Sequence, residues 1–406
     1  MGEQLQSSVA QQHLSDVVIV GAGPAGLTLA LCLAEQSNSL QITVIDQQAR
    51  AGIAQPEMDG RDIAMNHMTR SILQRLNVWQ RLPDSEIHPL KEAKVSDGES
   101  PYALHFQRHD DAVAPLGYLV ANHQIRTALY QQVCEHDNIE LLTETQVENL
   151  HSNAADAIVE VRSEQGHSII RAALVVAADS RFSVMRRMMG ISAKMKDYGR
   201  VMMVCNMEHE LSHQNTAQEC FQYGRTCAIL PLGPKRSSIV ITTPAHRSSE
   251  LSELDDEGFA LEAESMLGNR LGKMKLVTDR FSYPLVGVMS QRFIGQRFAL
   301  IGDAAVGMHP VTAHGYNLGV RSADTLASQI IKAERARKDI ASQWVLGKYE
   351  VRHKLLATPI YEGTNAVVQL FTDDNPVAKV ARKVALRFGN NFHPFTRLVT
   401  QRLIQE

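Results

Sequence analysis

Apolar positions fall in two rhythms along this chain, short unbroken runs and a helical 3.6-residue period, and their order is the first guide to the fold. Val17 to Val20 form a β-branched run without charge, as expected of a strand buried on both faces of a parallel sheet. Gly21, Gly23 and Gly26 follow at G-x-G-x-x-G spacing and open a helical stretch; a second apolar run, Ile42 to Ile45, then ends in Asp46. In such a βαβ unit each glycine has its own task. Gly21 permits the tight turn, Gly23 lets a pyrophosphate approach the backbone, and Gly26 lets the helix lie against the strand. The helix amides and dipole attract an anion without a further cation. Asp46 stands where a carboxylate accepts hydrogen bonds from a ribose diol. The pattern predicts a dinucleotide site.

The helical period returns through Met68, Ile72, Leu73 and Leu76 to Trp79, and again over residues 118–135. Between them, residues 84–110 alternate as short strands do, for instance at Tyr102, Leu104 and Phe106. Short strands follow over 140–176, and a buried one, Leu174 to Ala177, runs into Asp179. Residues 197–248 and 276–288 are short strands separated by Gly and Pro, which predicts a second, mostly antiparallel sheet inserted between returns to the first domain. The fold class is α/β, with no internal repeat.

A chain of 406 residues accommodates two or three domains. Its net charge of −3 gives no global reason to expect nucleic acid as a partner. Cys32, Cys134, Cys205, Cys220 and Cys227 form no C-x-x-C pair, which fits reduced thiols in the cytoplasm, and no metal site is expected. The polar start predicts no signal peptide, and no apolar run reaches the ~18 residues of a membrane span. From Val377 onward, Lys379, Arg382, Lys383, Arg387, Arg397 and Arg402 accompany apolar Val377, Val380, Ala381, Val384 and Phe388 at helical spacing. Such a helix fits an anionic membrane surface, or packs on the body with a solvated basic face.

A further motif lies at residues 297–327, where the strand Phe298 to Ile301 ends in Gly302 and Asp303, a loop carries His309 and Pro310, and a helix begins at Gly315. An acid at a strand end, beside a second helix N-terminus, suits a hydroxyl-rich piece of the same cofactor. With the glycine fingerprint and the segment Ala178 to Arg186, this resembles the class A FAD-dependent aromatic monooxygenases typified by para-hydroxybenzoate hydroxylase, over nearly the whole chain. Ser180 stands for that class's glycine, Val306 for its usual histidine, and Ala313 with His314 for its Gly-Gln. Residues 59–79, 116–129 and 228–244 look most like ubiquinone-biosynthesis hydroxylases, and the loop 308–319 like their demethoxyubiquinol hydroxylase branch.

The resemblance implies a Rossmann-like FAD-binding domain (1–83, 113–190 and 283–335), a substrate domain (84–112 and 191–282) and a C-terminal helical region (336–406). It places Gly21, Gly23, Ala25, Gly26, Arg61 and Arg126 near the pyrophosphate and ribityl chain, Asp46 on the adenosine ribose, and Gly302 with Asp303 on the ribityl hydroxyls. Asp179, Ser183 and Arg186 would support the FAD, and Pro310, Gly315, Tyr316 and Asn317 would line its ring. NAD(P)H and O2 would be cosubstrates, through a flavin C4a-hydroperoxide, for an aromatic or quinol substrate, and a ubiquinone-biosynthesis complex at the inner face of a membrane is the implied setting. His309 and His314 are candidates for the base that draws the phenol proton, with a structural role equally open to each. A soluble aromatic or polyketide substrate, or a noncatalytic FAD-binding partner, is the alternative.

Overall fold

A computed structural model describes residues 12–97, 103–107, 115–222, 224–372, 375 and 382. Gln12–Val20 lies at the centre of the first sheet, parallel to Ile42–Ile45 on one side and to Gly166–Ala177 on the other. Val17, Val18 and Ile19 are fully buried, the burial that their unbroken apolar run requires. Ile139–Leu142 extends the sheet beyond Ile42–Ile45, and Phe298–Leu300 extends it beyond Val175 to Ala177, both in parallel. Because four of these strands run the same way, Gly21, Asp46, Asp179 and Gly302 all emerge at one edge. Three motifs far apart in sequence thus converge at the carboxyl ends of the strands, where open α/β sheets bind ligands.

Two glycines make this convergence sterically possible. Gly21 has φ +110°, and a Cβ there would lie 2.5 Å from the carbonyl oxygen of Ala178. A Cβ on Gly26 would lie 2.0 Å from the carbonyl oxygen of Gly21, so the helix Pro24–Ala34 approaches its strand only because Gly26 has none.

The second sheet is mostly antiparallel. Its longest strand, Ala193–His209, pairs with Arg236–Pro244 on one side and Phe281–Ser290 on the other. Thr216–Gln222 pairs antiparallel with Arg225–Pro231 and parallel with Glu92–Asp97. Alternation divides the two faces of this sheet. Met203, Cys205, Met207, Cys220, Cys227, Ile239 and Ile241 pack against the helix Asp256–Met266 through Phe259 and Ala263. Burial pushes the thiols of Cys205, Cys220 and Cys227 up from their ordinary range, so they serve as small core residues. Met202, Val204, Thr226, Ala228 and Val240, on the opposite parity, look back toward the first sheet.

Two local departures from the sequence pattern have clear causes. Residues 118–121 are extended because Tyr118 to Ala121 pair with Asp62–Met65 in a separate three-stranded sheet, completed by His88–Leu90. The helix expected from residue 118 therefore starts at Asn122. The strand Phe281–Ser290 stays with the antiparallel sheet along its length, so the chain rejoins the first sheet at Ile294 and the expected boundary at 283 falls within that strand.

Helix Gly315–Arg335 returns across the first domain, and helix Gln343–Thr372 follows it. The end of this last helix reaches the second sheet, where Phe371 stacks on Phe221 with ring centroids 4.4 Å apart and Leu370 and Val311 pack beside them. Phe221 is thus a packing residue, and Tyr223 lies outside the described residues. Of the basic positions after Val377, Arg382 is described, and it faces inward: it is 2% exposed and donates to the carbonyl of Phe371 at 2.7 Å. The other basic positions lie outside the described residues. Among the described residues, no helix is long and apolar enough to cross a membrane.

Candidate active site

Between the edge where the motifs converge and the inner face of the second sheet lies a cavity of about 1030 Å³. One wall is polar and built from turns: Gly21 to Ala25, Asp46, Arg61, Arg126, Asp179 to Phe182, Gly302 and Asp303. The other wall is largely apolar and built from the sheet: Met202, Val204, Ala228, Leu230, Val240 and Leu285. The loop His309, Pro310, Val311 and the helix start at Gly315 and Tyr316 join the two.

The polar wall is held in place by its own hydrogen bonds. Asp46 Oδ2 accepts from the amide of Ala22 at 2.7 Å and Oδ1 from that of Gln48 at 2.8 Å, which ties the end of the second strand to the glycine turn. Arg126, on helix Asn122–Val133, donates to Gln48 Oε1 at 3.1 Å. Arg61 donates to Asp59 and lies over the ring of Tyr283, 5.4 Å from its centroid. Burial works against the Asp59 carboxylate, yet Arg61 and Asn122 together hold it below the usual carboxylate range. Arg181 bridges the second and third motifs, reaching Asp303 Oδ2 at 2.9 Å and the carbonyl of Val286 at 3.1 Å.

Several expected residues act from behind this wall. Ser183 caps the short helix Val184–Met188 by accepting from the amide of Arg186 at 2.9 Å. Arg186 is 3% exposed and donates to the carbonyls of Ala304 at 2.8 Å and Arg181 at 3.1 Å, so it braces the two loops. Asn317 accepts from the Asn66 amide and the Thr69 hydroxyl and donates to the carbonyls of Ala64 and Ala313, fastening the helix start to the strand Asp62–Met65. Gly26, Ser183, Arg186, Asn317 and His314 are not among the lining residues.

The two histidines differ from what their position in the loop suggests. His314 occupies the N-cap of helix Gly315–Arg335. His309 lines the cavity, but burial, with help from Arg200 and Lys196, pushes its imidazole down to about 4, so the ring is neutral at physiological pH. Its Nδ1 accepts from the amide of Val311 at 3.2 Å, which leaves Nε2 as the protonated nitrogen. The accepting lone pair is thus spent on the backbone. In this arrangement His309 is a donor, stacked edge-on against Tyr198 at 4.9 Å.

Two of the class departures fall on strained backbone. Ser180 has φ +77° and Ala313 φ +54°, left-handed conformations that glycine adopts without a Cβ clash. Val306 is 3% exposed and pairs with Met289 at the sheet edge, where a branched apolar side chain packs well.

The sheet wall also holds groups that the periodicity did not single out. Glu219 and Thr226 interrupt its apolar surface, and Asp62 faces the cavity from the small sheet. Burial pushes the carboxyls of both Glu219 and Asp62 up to about 7. The signal in the sequence is slight, an acid between alternating Ala217 and Phe221 on a strand, and nothing there says which face it takes.

The polar wall suits a long, phosphate-bearing, hydroxyl-rich cofactor. Nothing lies within 4 Å of a Cβ built on Gly23 or Gly315, so the backbone there is open to close approach. Asp179 Oδ1 and Tyr316 Oη are buried polar atoms of lining residues with no partner among the described residues, the kind of group a bound ligand satisfies.

Comparison with known proteins agrees with this geometry. Residues 15–364 match the FAD binding domain family. The chain is 47% identical to the ubiquinone hydroxylase UbiM of Neisseria meningitidis, over 96% of this chain and 84% of that protein. It is 33% identical to the ubiquinone hydroxylase UbiL of Rhodospirillum rubrum, over 95% of this chain and 88% of that protein. The crystal structure of p-nitrophenol 4-monooxygenase PnpA from Pseudomonas putida superposes with a TM-score of 0.75 at 18% identity, covering 97% of this chain and 98% of that one, a likeness of fold. The chain belongs to the FAD binding domain family and is an FAD-dependent aromatic monooxygenase.

Proposed function

We propose that the protein hydroxylates the ring of a polyprenylated quinol in ubiquinone biosynthesis, with demethoxyubiquinol as the substrate to try first. The observation that carries this reading is the two-sided cavity, polar and cofactor-shaped on one wall and apolar on the other. The names of the ubiquinone hydroxylase relatives support the choice of substrate.

When bound, FAD supplies the redox chemistry, by which electrons from NAD(P)H activate O2 and one oxygen atom enters the ring. In this reading the chain's residues place and shield it. Asp46 takes the adenosine ribose, and the turn Gly21 to Ala25 and the helix amides behind it take the pyrophosphate, with Arg61 and Arg126 nearby. Asp303, oriented by Arg181, takes the ribityl hydroxyls. Pro310, Gly315 and Tyr316 line the ring, where amides at the start of helix Gly315–Arg335 stabilise negative charge by fixed dipoles. Met202, Val204, Val240 and Leu285 exclude water from the substrate ring. A prenylated ring is held in lipid, which favours a peripheral membrane contact through the basic stretch after Val377.

The test is the absorption spectrum of the purified protein, followed by NAD(P)H consumption with a short-chain demethoxyquinol and mass analysis of the product. A yellow protein whose NAD(P)H oxidation rises with the quinol, and whose product gains one oxygen atom, is expected. A yellow protein indifferent to the quinol would move the assignment to a soluble aromatic substrate. A flavoprotein that consumes no NAD(P)H would reduce it to a noncatalytic FAD-binding partner.

A further inference from the structure

Glu219 occupies a position that packing alone does not explain. It lies on strand Thr216–Gln222 opposite Ala228 of Arg225–Pro231; Ala228 lies opposite Val240, and Val240 opposite Val204. Directly opposed residues of antiparallel strands project to the same face. Glu219 is therefore the end of a row whose other members, Ala228, Val240 and Val204, form the apolar floor of the cavity, and it lines that cavity with them. Cys220 and Cys227, offset by one residue, turn to the opposite face and the helix behind. A carboxyl set among apolar side chains costs free energy unless it gains a partner, and the polar side chain beside it that lowers its proton affinity is Thr226.

We propose that Glu219 is a catalytic residue, the group that accepts the proton of the substrate's ring hydroxyl as that ring is hydroxylated. The inference rests on the quinol hydroxylase reading above. The hydroxyl O–H bond breaks, a new O–H bond forms on the Glu219 carboxylate, and the electron pair stays on the ring oxygen and enriches the ring. The proton returns to the same oxygen when the hydroxylated ring sheds its C–H proton to water and regains aromaticity. Geometry leaves this task to Glu219, since the accepting nitrogen of His309 is engaged by Val311 and His314 lies off the cavity wall. Of the other titratable groups on this side, Tyr283 donates its hydroxyl to the carbonyl of Asp59 at 2.7 Å, and Asp62 stands on the small sheet beside Ser238 and Arg236, outside the apolar row that Glu219 ends. Burial raises the Glu219 carboxyl to about 7 and the Thr226 hydrogen bond lowers it, which leaves a base whose proton affinity suits transfer near neutral pH.

The experiment compares wild type, Glu219→Gln and Glu219→Asp for FAD content, affinity for the oxidised quinone form of the substrate, and quinol hydroxylation from pH 5.5 to 9, a range that brackets the ~7 expected for the base. Glu219→Gln is expected to hold FAD and bind the quinone, yet to hydroxylate at least ~100-fold more slowly. The wild-type rate should fall as pH drops through ~7 and the carboxylate takes up its proton, and this limb should vanish in Glu219→Gln. Glu219→Asp should recover part of the rate and restore the limb. If wild type hydroxylates the quinol and Glu219→Gln matches its rate and profile, the role of Glu219 is overturned while the function stands. If wild type leaves the quinol untouched, the substrate reading falls and this inference falls with it.

Discussion

Arg181 Nη2 donates to Asp303 Oδ2 at 2.9 Å, and this contact joins the loop after Gly166–Ala177 to the loop after Phe298–Leu300 at the rim of the cavity. The pair is about one-third exposed, at 29% and 34%, so its share of folding stability is small. Its effect on the cofactor is of the same order, because an unheld carboxylate must be ordered anew each time FAD binds. Arg181→Ala should lower FAD affinity about threefold and cost roughly 0.2–1 kcal/mol of stability. Asp303→Ala removes a charged hydrogen-bond acceptor and should cost about tenfold or more in FAD affinity. Titration of the apoproteins with FAD, followed by flavin fluorescence, measures both; two variants with wild-type affinity would take Asp303 out of the site.

Gly23 and Gly26 stand in one fingerprint and should respond oppositely to the same methyl group. A Cβ on Gly26 collides with backbone at 2.0 Å, and a carbonyl in a tight turn has nowhere to go. Gly26→Ala is expected to destabilise the fold by about 1–3 kcal/mol or more, as overpacking does. A Cβ on Gly23 meets nothing within 4 Å among the described residues, so Gly23→Ala should fold normally and yet lose FAD, since the methyl occupies the phosphate's approach. Thermal melts of the two apoproteins, read beside their flavin content, separate the effects. Full FAD in Gly23→Ala would refute the assignment of that turn.

Ser180 and Ala313 put ordinary side chains where the backbone is left-handed. Such a residue carries roughly 1–2 kcal/mol of steric cost, part of which glycine gives back through the greater freedom of its unfolded chain. Ser180→Gly and Ala313→Gly should therefore each raise stability by about 0.5–1 kcal/mol and add independently. Calorimetry of the single and double variants checks this. A fall in melting temperature at either position would mean that its side chain makes a contact worth more than the strain.

The same two residues show what could be read from the sequence and what could not. The glycine turn, Asp46 and Asp303 were legible because each obeys a local rule, a strand followed by a turn and a helix, and the parallel strands then bring their ends together. Ser180 and Ala313 were legible as departures, but their left-handed backbone becomes visible only in the folded loops. Arg186 and Asn317 carry the motif without touching the cavity, since a motif records a bracing residue as readily as a contacting one. Glu219 was not legible, because its meaning depends on register. A slip of one residue would turn it to the helix side of the sheet, and only the pairing with Ala228 aims it at the cavity.

Register also gives Glu219 a signature that needs no turnover. Its carboxyl is held up to about 7 by burial, above the ~4.3 of an unfolded chain, so between those values the folded state keeps a proton that the unfolded state has lost. The contribution is fully present below the unfolded value and is lost as pH rises through the folded one. Asp62 runs the same way, while His309 and His353, both pushed down to about 4, run the opposite way between ~4 and ~6.5. All three are present in wild type and in Glu219→Gln, so the difference between the two proteins isolates Glu219. The variants should be equally stable near pH ~4.5, and Glu219→Gln should pull ahead above pH ~7 by an amount on the order of a few kcal/mol, since each pKa unit is worth about 1.4 kcal/mol. Urea midpoints across that range measure the gap. A gap that grows with pH marks a carboxylate kept in an apolar wall at the expense of stability, as expected of a residue retained for chemistry. Equal midpoints above neutrality would show a solvated side chain with no raised proton affinity to lend to the reaction.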